Sequence, residues 1–285
     1  MSAAPLRQVL VGVDEGTAST DALALARTFA RAGDAELLVA SVRPYWPDSI
    51  PPGDYARIVE EEEGKLRREV TPMLAELGFD TRVIAGGRPS DGLKEIAEAE
   101  GADLIVIAST HRGPVGRVLP GSVGERVLDG APCAVAIAPR GFAEGNPGPL
   151  QRIVVGCDGS RESTAALWLA AALAERDGAK LTLVGVVEMR FDLAGFARPA
   201  DPEEIARVER ALQRARASLH PGLAVESKEV HGVVPDVIFA AARGANLLAI
   251  GSRGNYSPVR RLFLGSVAAK VARTAPCPTL IVPAV

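Results

Sequence analysis

Cysteine is scarce in this sequence, and its few copies are not arranged as a metal site or a disulfide framework. Cys133, Cys157 and Cys277 lie far apart, and their number is odd. A secreted disulfide scaffold needs paired cysteines, and a structural zinc site needs closely spaced ligands. The sequence therefore predicts three thiols packed among apolar residues, and a cytoplasmic location.

Long apolar runs and an excess of basic residues are also missing. The chain has 32 Lys and Arg against 35 Asp and Glu and a pI near 5.8, whereas a nucleic-acid partner usually requires a basic surface. No stretch approaches the roughly 18 apolar residues of a membrane span, and residues 1–8 lack the basic and apolar segments of a signal peptide. We expect no nucleic-acid partner, no targeting segment and no membrane association.

Several motifs of common enzymes are absent. The sequence contains no Gly-x4-Gly-Lys-Ser/Thr phosphate loop, no Gly-x-Gly-x-x-Gly dinucleotide turn and no Gly-x-Ser-x-Gly nucleophile elbow. His220 and His231 have no acid, serine or cysteine partner that the sequence identifies. No catalytic residue and no metal ligand is therefore predicted.

What the chain does contain is a repeat of domain length. The run that ends at Asp14 returns in the run that ends at Asp158, 144 positions later, and residues 101–109 return as residues 244–252. This period exceeds the roughly 20 to 50 residues of a solenoid repeat and matches a domain. Residues 141–149 contain three Gly and two Pro, a composition typical of linkers. We predict one domain over residues 1–140, a linker over 141–150 and a related domain over 151–285.

Each half alternates short apolar runs, rich in β-branched residues, with longer helical stretches. The predicted strands are residues 9–13, 36–42, 81–85, 104–108 and 134–138, and then 153–157, 180–187, 225–230, 247–251 and 279–282. The helical stretches supply the crossovers that parallel strands require. The predicted fold class is α/β, with two tandem Rossmann-like domains, each a five-stranded mostly parallel sheet with helices on both faces.

Helix boundaries are predicted from capping residues and prolines. Ser19 and Ser163 are expected caps, and Asp201-Pro202 followed by two glutamates predicts a helix start. A charged helix over residues 60–68 is expected to be interrupted near Pro72.

The loop after the fourth strand has the composition of a phosphate-binding turn. In the second half it contains Gly251 and Gly254 and ends at Gly265-Ser266, where a helix is predicted. Glycines let the backbone approach a ligand closely, and a helix start directs free N–H groups at an anion. In a doubly wound sheet, Asp158 at the end of the first strand faces the same crevice, and a carboxylate accepts hydrogen bonds from ribose or an amine. The combination predicts a nucleotide.

The two aspartates also have a simpler interpretation. Asp14 and Asp158 each precede a predicted helix, and aspartate is a common helix cap. The glycine loop favours the nucleotide interpretation, because it is a second feature typical of ligand binding that is predicted at the same crevice.

Taken together, these residues resemble the universal stress protein family in its tandem form. The resemblance covers both halves almost end to end and rests on the two aspartates, the Gly-x2-Gly-x9-Gly-Ser/Thr loop of the ATP-binding branch, and the closing Gly-Ser-Val and Ala-Pro-Cys segments. It implies an adenine nucleotide at the strand ends and a homodimer through the last strand of a domain. In the second domain it implies nucleotide contacts from Asp158, Val186, Gly251, Ser252, Gly254, Gly265, Ser266 and Val267.

The two halves depart from the family pattern in different ways. The second-half loop has ten residues between Gly254 and Gly265 rather than nine. In the first half Ala108 and His111 replace the first two glycines, and each adds a Cβ where the backbone would approach phosphate. The residues that the resemblance assigns to the first site are Asp14, Val42, Ala108, His111, Arg112, Gly121, Ser122 and Val123. Arg260 and Arg261, near the second loop, are further candidates for anion contact.

The predicted function is that of an ATP-binding stress-response protein, acting as a nucleotide-dependent regulator or sensor, with Mg²⁺ on the phosphates. ADP or AMP are not distinguished from ATP. Two alternatives stay open: a nucleotide-free, pseudo-dimeric interaction scaffold, which the missing first-half glycines favour, and a weak ATPase.

Overall fold

The chain forms two compact units, each with its own parallel sheet. The structure is a computed structural model that describes residues 6–14, 18–43, 54–74, 76–85, 87–110, 115–189, 200–253 and 264–283. The first unit is Leu6–Gly116 with Pro120–Gly148, and Pro149–Val285 with Arg117–Leu119 belongs to the second. These units correspond to the two halves of the sequence repeat.

The described part of the first domain contains five strands and four helices. They are β1 (Gln8–Val13), α1 (Ala18–Gly33), β2 (Glu36–Arg43), α2 (Tyr55–Leu74), β3 (Phe79–Ala85), α3 (Pro89–Ala99), β4 (Leu104–Ala108), α4 (Ser122–Leu128) and β5 (Ala134–Ala138). A short 3-10 turn follows at Ala143–Gly145.

The second domain repeats this order. Its described elements are β6 (Arg152–Gly156), α5 (Arg161–Asp177), β7 (Lys180–Glu188), α6 (Pro202–Ala217), β8 (Val225–Gly232), α7 (Val234–Ala242), β9 (Leu247–Gly251), α8 (Ser266–Thr274) and β10 (Thr279–Val282).

Both sheets are doubly wound. The strand order is β3-β2-β1-β4-β5 in the first domain and β8-β7-β6-β9-β10 in the second, and every pairing within each domain is parallel. The order reverses beside β1 and beside β6, and right-handed crossovers on either side of a reversal lead to opposite faces of the sheet. The predicted fold class is confirmed.

All ten strands lie within two residues of their predicted bounds at each end. They were predictable because parallel strands are covered on both faces, so their sequences are continuous apolar runs. Val9, Leu10 and Val11 in β1 have no exposed surface, and neither have Ile153 and Val154 in β6. The cores of the domains are therefore built around their central strands.

The helix starts were predicted less accurately. Asp201 caps α6 as predicted, accepting a hydrogen bond from Glu203 N at 2.9 Å. Ser163 is not a cap: it lies in the first turn of α5, and its N–H donates to the side chain of Ser160, the true N-cap. Ser19 also lies inside its helix and hydrogen-bonds Asp14 instead.

Pro72 does not interrupt α2, which continues to Leu74. Proline so close to the end of a helix removes only one late hydrogen bond, so the last turn can persist. The segment predicted as a linker contacts the first domain: Asp21, buried in α1, accepts hydrogen bonds from Gly141 N and Ala143 N, both at 2.8 Å.

Candidate functional site

The carboxyl edge of the second sheet brings the predicted site residues of two neighbouring strands together. β6 and β9 pair in parallel, with Val155 opposite Ala249. β6 ends at Gly156 and β9 at Gly251, so Asp158 and Ser252 both follow the carboxyl ends of neighbouring strands. Asp158 and the Gly251–Arg253 segment therefore share one edge, at the point where the strand order reverses.

Asp158 shapes the turn that leads into α5. Its Oδ1 accepts a hydrogen bond from Ser160 N at 2.9 Å, and Gly159 between them has a φ of +79°. That φ is the left-handed conformation that glycine adopts without strain. Because Ser160 is the residue that caps α5, Asp158 is not the helix cap, and its half-buried carboxylate remains at the sheet edge.

Asp14 occupies the corresponding position in a different environment. It is exposed, and its partner is the hydroxyl of Ser19, which lies 2.9 Å from Asp14 Oδ1 and accepts from Asp14 N at 2.8 Å. The two aspartates are thus equivalent in the chain but have different partners.

Gly251 is required by the packing of α5. A Cβ at this position would lie 2.6 Å from Glu162 Cβ and 2.7 Å from Ser163 N, distances that real Cβ atoms do not reach. The end of β9 therefore touches the first turn of α5. The sequence analysis interpreted this glycine only as a point of approach for phosphate.

Gly265 begins α8 directly beside the loop that follows β9. Gly265 N donates to Ser252 O at 2.8 Å, and Gly265 is the N-cap of the helix. A Cβ here would lie 3.2 Å from Ser252 O and 3.3 Å from Arg253 Cα. Ser266 is exposed and Val267 half-buried. The start of α8 thus lies beside Ser252 and Arg253, near the edge that carries Asp158.

The first domain has a more open version of this arrangement. Among the described residues, a Cβ on Gly121, the N-cap of α4, would meet Thr110 Cβ alone, at 3.7 Å. Ser122 is exposed and Val123 half-buried, and α4 has only seven residues against nine in α8. Ala108 ends β4 at the position equivalent to Gly251.

The two valines that the family resemblance assigns to the nucleotide sites differ in exposure. Val42 is buried under α3, where a Cβ on Gly92 would lie 2.9 Å from its methyl groups. Val186 is half-buried, opposite Val230 in the register of β7 and β8. Of the two, Val186 is the more accessible surface for a base.

An ion pair at the edge was missed by sequence reasoning. Arg253 Nε lies 3.7 Å from Glu162 Oε1, and both side chains are 16% exposed. The pair joins the loop after β9 to the first turn of α5. No sequence spacing indicates it, because the two residues are brought together only by the pairing of β6 with β9.

Some predicted residues lie outside the described part of the chain. They are Gly254, His111, Arg112, Arg260 and Arg261.

A cavity of about 440 Å³ opens beside Asp158, between α5 and α6. Its lining includes Cys157 and Asp158, residues of α5, and three arginines of α6. Burial raises the pKa of the Cys157 thiol to about 12, with a further increase from the charge of Asp158. The thiol is therefore neutral, and it is a weak candidate for a nucleophile.

The two doubly wound sheets, each with an aspartate and a helix start at its carboxyl edge, define a tandem Rossmann-like α/β protein. The model of the Universal stress protein family matches residues 5–139 and 149–283, so the chain belongs to this family. It is 28% identical over 299 residues to Universal stress protein Rv2319c of Mycobacterium tuberculosis (strain ATCC 25618 / H37Rv), covering 96% of this chain and 99% of that protein.

Two further comparisons agree with the domain repeat. A universal stress protein of Thermus aquaticus is 36% identical over 134 residues, which cover 46% of this chain and 97% of that protein. The crystal structure of a universal stress protein from Archaeoglobus fulgidus DSM 4304 has a TM-score of 0.73 at 22% identity and covers 98% of both chains. The tandem form of the family is thereby confirmed.

Proposed function

We propose that the second domain binds an adenine nucleotide at the carboxyl edge of its sheet, and that the protein acts as a nucleotide-dependent regulator or sensor. The observation that carries the proposal is the shared edge of β6 and β9, which brings Asp158 near the start of α8 at Gly265. A carboxylate and a helix N-terminus at one edge match the two ends of a nucleotide, one with hydroxyl and amine donors and one with anionic phosphates.

The residues at this edge fit a nucleotide in the second domain. Asp158 would accept hydrogen bonds from the adenosine part, and Val186 offers an accessible apolar surface for adenine. The backbone N–H groups at the start of α8, around Ser266, would hold the phosphates. Gly251 acts there indirectly, because it lets α5 approach β9.

Magnesium would be bound by the phosphates in this arrangement. Within the described ranges, no three His, Cys, Asp or Glu side chains come together as a metal site. Mg²⁺ commonly keeps several waters and uses substrate phosphates as ligands. The nucleotide itself would be ATP, ADP or AMP, since neither a carboxylate nor a helix start distinguishes them.

A nucleotide-free scaffold is the main alternative, and the first domain favours it locally. No described backbone atom lies as close to Gly121 as Ser252 O lies to Gly265, and Asp14 is exposed beside Ser19. We infer that the second domain is the principal nucleotide site. Hydrolysis of ATP, if it occurs, would be a slow side reaction.

Counting bound nucleotide tests the proposal directly. The purified protein is unfolded, and released adenine nucleotide is identified by chromatography. We expect about one nucleotide per chain, because the residues of the second domain fit a nucleotide and those of the first fit it less well. Two per chain would extend the site to the first domain, and none, also after titration with ATP, would leave the scaffold alternative.

Matched substitutions of the two aspartates locate the site. Asp158→Asn keeps the size of the side chain but removes the charged acceptor, so we expect ATP affinity to fall roughly tenfold. Asp14→Asn is the control in the first domain and should leave affinity unchanged. Isothermal titration measures both, with circular dichroism to verify the fold. The reverse result would assign nucleotide to the first domain.

The cellular location and the oligomeric state stay predictions. No helix in the described ranges has the length and apolar character to cross a bilayer. The homodimer that the family resemblance implies, through a last strand such as β10, is tested by sedimentation over micromolar concentrations.

A further inference from the structure

The cavity between α5 and α6 has the size of a small-molecule site. Its volume of about 440 Å³ lies within the usual range of ligand pockets. Leu167 of α5 and Ala211 and Ala215 of α6 supply apolar surface, while three arginines, Arg207, Arg210 and Arg214, supply positive charge. An apolar surface with a few charged groups is the usual composition of a site for an organic ligand.

The three arginines lie on one face of α6, because positions i, i+3 and i+7 of a helix align. Of the three, only Arg207 forms an ion pair within the described ranges, with Glu204 at 3.7 Å, although the carboxylate of Asp158 lines the same cavity. Within the described ranges, Arg210 and Arg214 form no ion pair closer than 4.0 Å. The two arginines lie four residues apart on the same helix, so their charges are close to each other. Like charges four residues apart on one helix repel each other. A bound anion would offset this repulsion.

The helix that carries the arginines is fixed in position. Val208 and Leu212 are buried against β7, where a Cβ on Gly185 would lie 2.6 Å from Val208 and 3.0 Å from Leu212. The absence of a side chain at Gly185 thus lets α6 lie close to the sheet. Arg210 and Arg214 are exposed, so their guanidinium groups are accessible to a ligand, while the backbone of α6 that carries them is held against the sheet.

The first domain uses the charges of the corresponding helix internally. Glu62 of α2 lies 3.5 Å from Arg43 and 2.5 Å from Lys65, and Glu63 accepts a hydrogen bond from Val83 N at 3.0 Å. These contacts keep two acidic side chains of α2 engaged within the first domain.

We propose that this cavity binds a small organic anion, a phosphate ester or a carboxylate attached to an apolar body. The anionic group lies between Arg210 and Arg214, because guanidinium groups bind both kinds of oxyanion in a planar, bidentate geometry. The apolar body contacts Leu167 and Ala215. This site does not depend on the proposed nucleotide, although Asp158 borders both.

A fluorescent anion tests the site. The probe is 8-anilinonaphthalene-1-sulfonate, which has a sulfonate on an aromatic body, and inorganic pyrophosphate is the competitor. The test variant combines Arg210→Ala with Arg214→Ala. We expect it to bind the probe roughly tenfold more weakly, since it lacks two charge-assisted contacts. Arg68→Ala, which removes an exposed arginine of α2, is the control and should bind like the parent protein.

A second variant keeps the charges and fills the space. Ala215→Leu adds a larger side chain to the cavity wall, so we expect the probe to bind more weakly while its dependence on salt persists. Circular dichroism and thermal unfolding verify that each variant folds. Unchanged probe affinity in both the double arginine variant and Ala215→Leu would overturn the proposal, and so would an equal loss in Arg68→Ala.

Titration with ATP separates this site from the nucleotide site. In the double arginine variant we expect ATP affinity to be unchanged and displacement of the probe by pyrophosphate to be lost. If the double arginine variant lost affinity for both ATP and the probe, the proposal of a separate anion site would be overturned. The arginines would then belong to the nucleotide site. If ATP fails to bind the parent protein while the probe still requires Arg210 and Arg214, only the proposed function fails.

Discussion

The two domains share a fold but differ at the end of the strand that follows the third helix. In the second domain Gly251 lies against the first turn of α5, where a Cβ would come within 2.6 Å of Glu162 Cβ. In the first domain Ala108 has a Cβ at the equivalent place. Glycine at position 251 therefore meets a packing requirement that the first domain does not share. A glycine that is absent from a binding motif is not by itself evidence that the binding site has been lost.

The N-terminal ends of α4 and α8, at the same edge of each sheet, have the same glycine but different surroundings. Gly121 and Gly265 are both present, yet in the part of the chain that the structure describes only Gly265 has backbone atoms close to where a Cβ would be. Its N–H also donates to Ser252 O. Identical motif residues thus have different surroundings, and the second domain has the tighter edge. The comparison leads us to expect the larger effects of substitution there.

The largest effect is expected from enlarging Gly251. In Gly251→Val the new side chain would overlap the backbone of α5, so we expect the free energy of unfolding to fall by about 3 kcal/mol, the upper range for overpacking. Urea unfolding followed by circular dichroism measures the change. The midpoint of the second domain should shift most.

The reciprocal substitution is the control. Ala108→Gly removes a Cβ that the first domain accommodates, so the expected loss is about 1 kcal/mol or less, the cost of glycine in a strand. If Gly251→Val were as stable as the parent protein, α5 would have to move without cost. The packing explanation for Gly251 would then be wrong.

A second difference concerns the residue before the fourth strand of each domain. Asp103 Oδ2 accepts hydrogen bonds from Arg7 N and Gln8 N at 2.7 and 3.0 Å. Asn246 Oδ1 accepts from Gln151 N and Arg152 N at 3.0 and 2.9 Å. One side-chain oxygen thus holds the start of the first strand in both domains, whether the residue is charged or neutral.

Substitutions here should cost less than at Gly251. Asp103→Leu or Asn246→Leu removes an acceptor from two N–H groups that lie near solvent, so we expect a loss of about 1 kcal/mol in each domain. Asp103→Asn should be close to neutral, because Asn246 already performs the same role. A large loss in Asp103→Asn alone would show that the charge, rather than the oxygen, is needed. Urea unfolding measures all three.

The sequence predicted the strands, and the places of Asp158, Gly251 and Gly265 at the ends of strands or the start of a helix, because these depend on local pattern. Buried parallel strands are continuous apolar runs, and Asp158, Gly251 and Gly265 follow or end such runs at fixed places. The cap of α5 was assigned three residues late. Ser160 and Ser163 form the pair in which an N-cap accepts from the third residue of the helix, and that spacing was the available signal.

The remaining features depend on contacts between distant segments. The pair of Glu162 with Arg253 requires β6 and β9 to be neighbours, and the arginine wall of the cavity requires α6 to face α5. The roles of Asp103 and Asn246 were visible only as repeated letters in the sequence. Such features follow from tertiary packing, which hydrophobic periodicity does not specify.

The smallest difference between the domains is expected at their matching cysteines. Cys133 and Cys277 follow the same Ala-Pro pair and are both buried. Burial raises the pKa of each thiol to about 12; Asp103 adds to the increase for Cys133, and Arg152 opposes it for Cys277. At pH 8 both thiols are neutral in the folded protein. We expect neither to react with iodoacetamide until the chain unfolds, as mass spectrometry would show.

The same shifts set the direction of a pH dependence. Thiols in the unfolded chain ionise near pH 8.5, roughly the value for a free cysteine, while the folded ones stay protonated toward pH 12. Their contribution to stability is therefore complete below the pKa of the unfolded state and is lost as pH rises toward 12. Unfolding in urea should need less denaturant at pH 10 than at pH 7, and Cys133→Ala with Cys277→Ala should reduce that difference. Rapid labelling of native Cys133 but not of Cys277 would mean that the two domains differ in burial where they are expected to be alike.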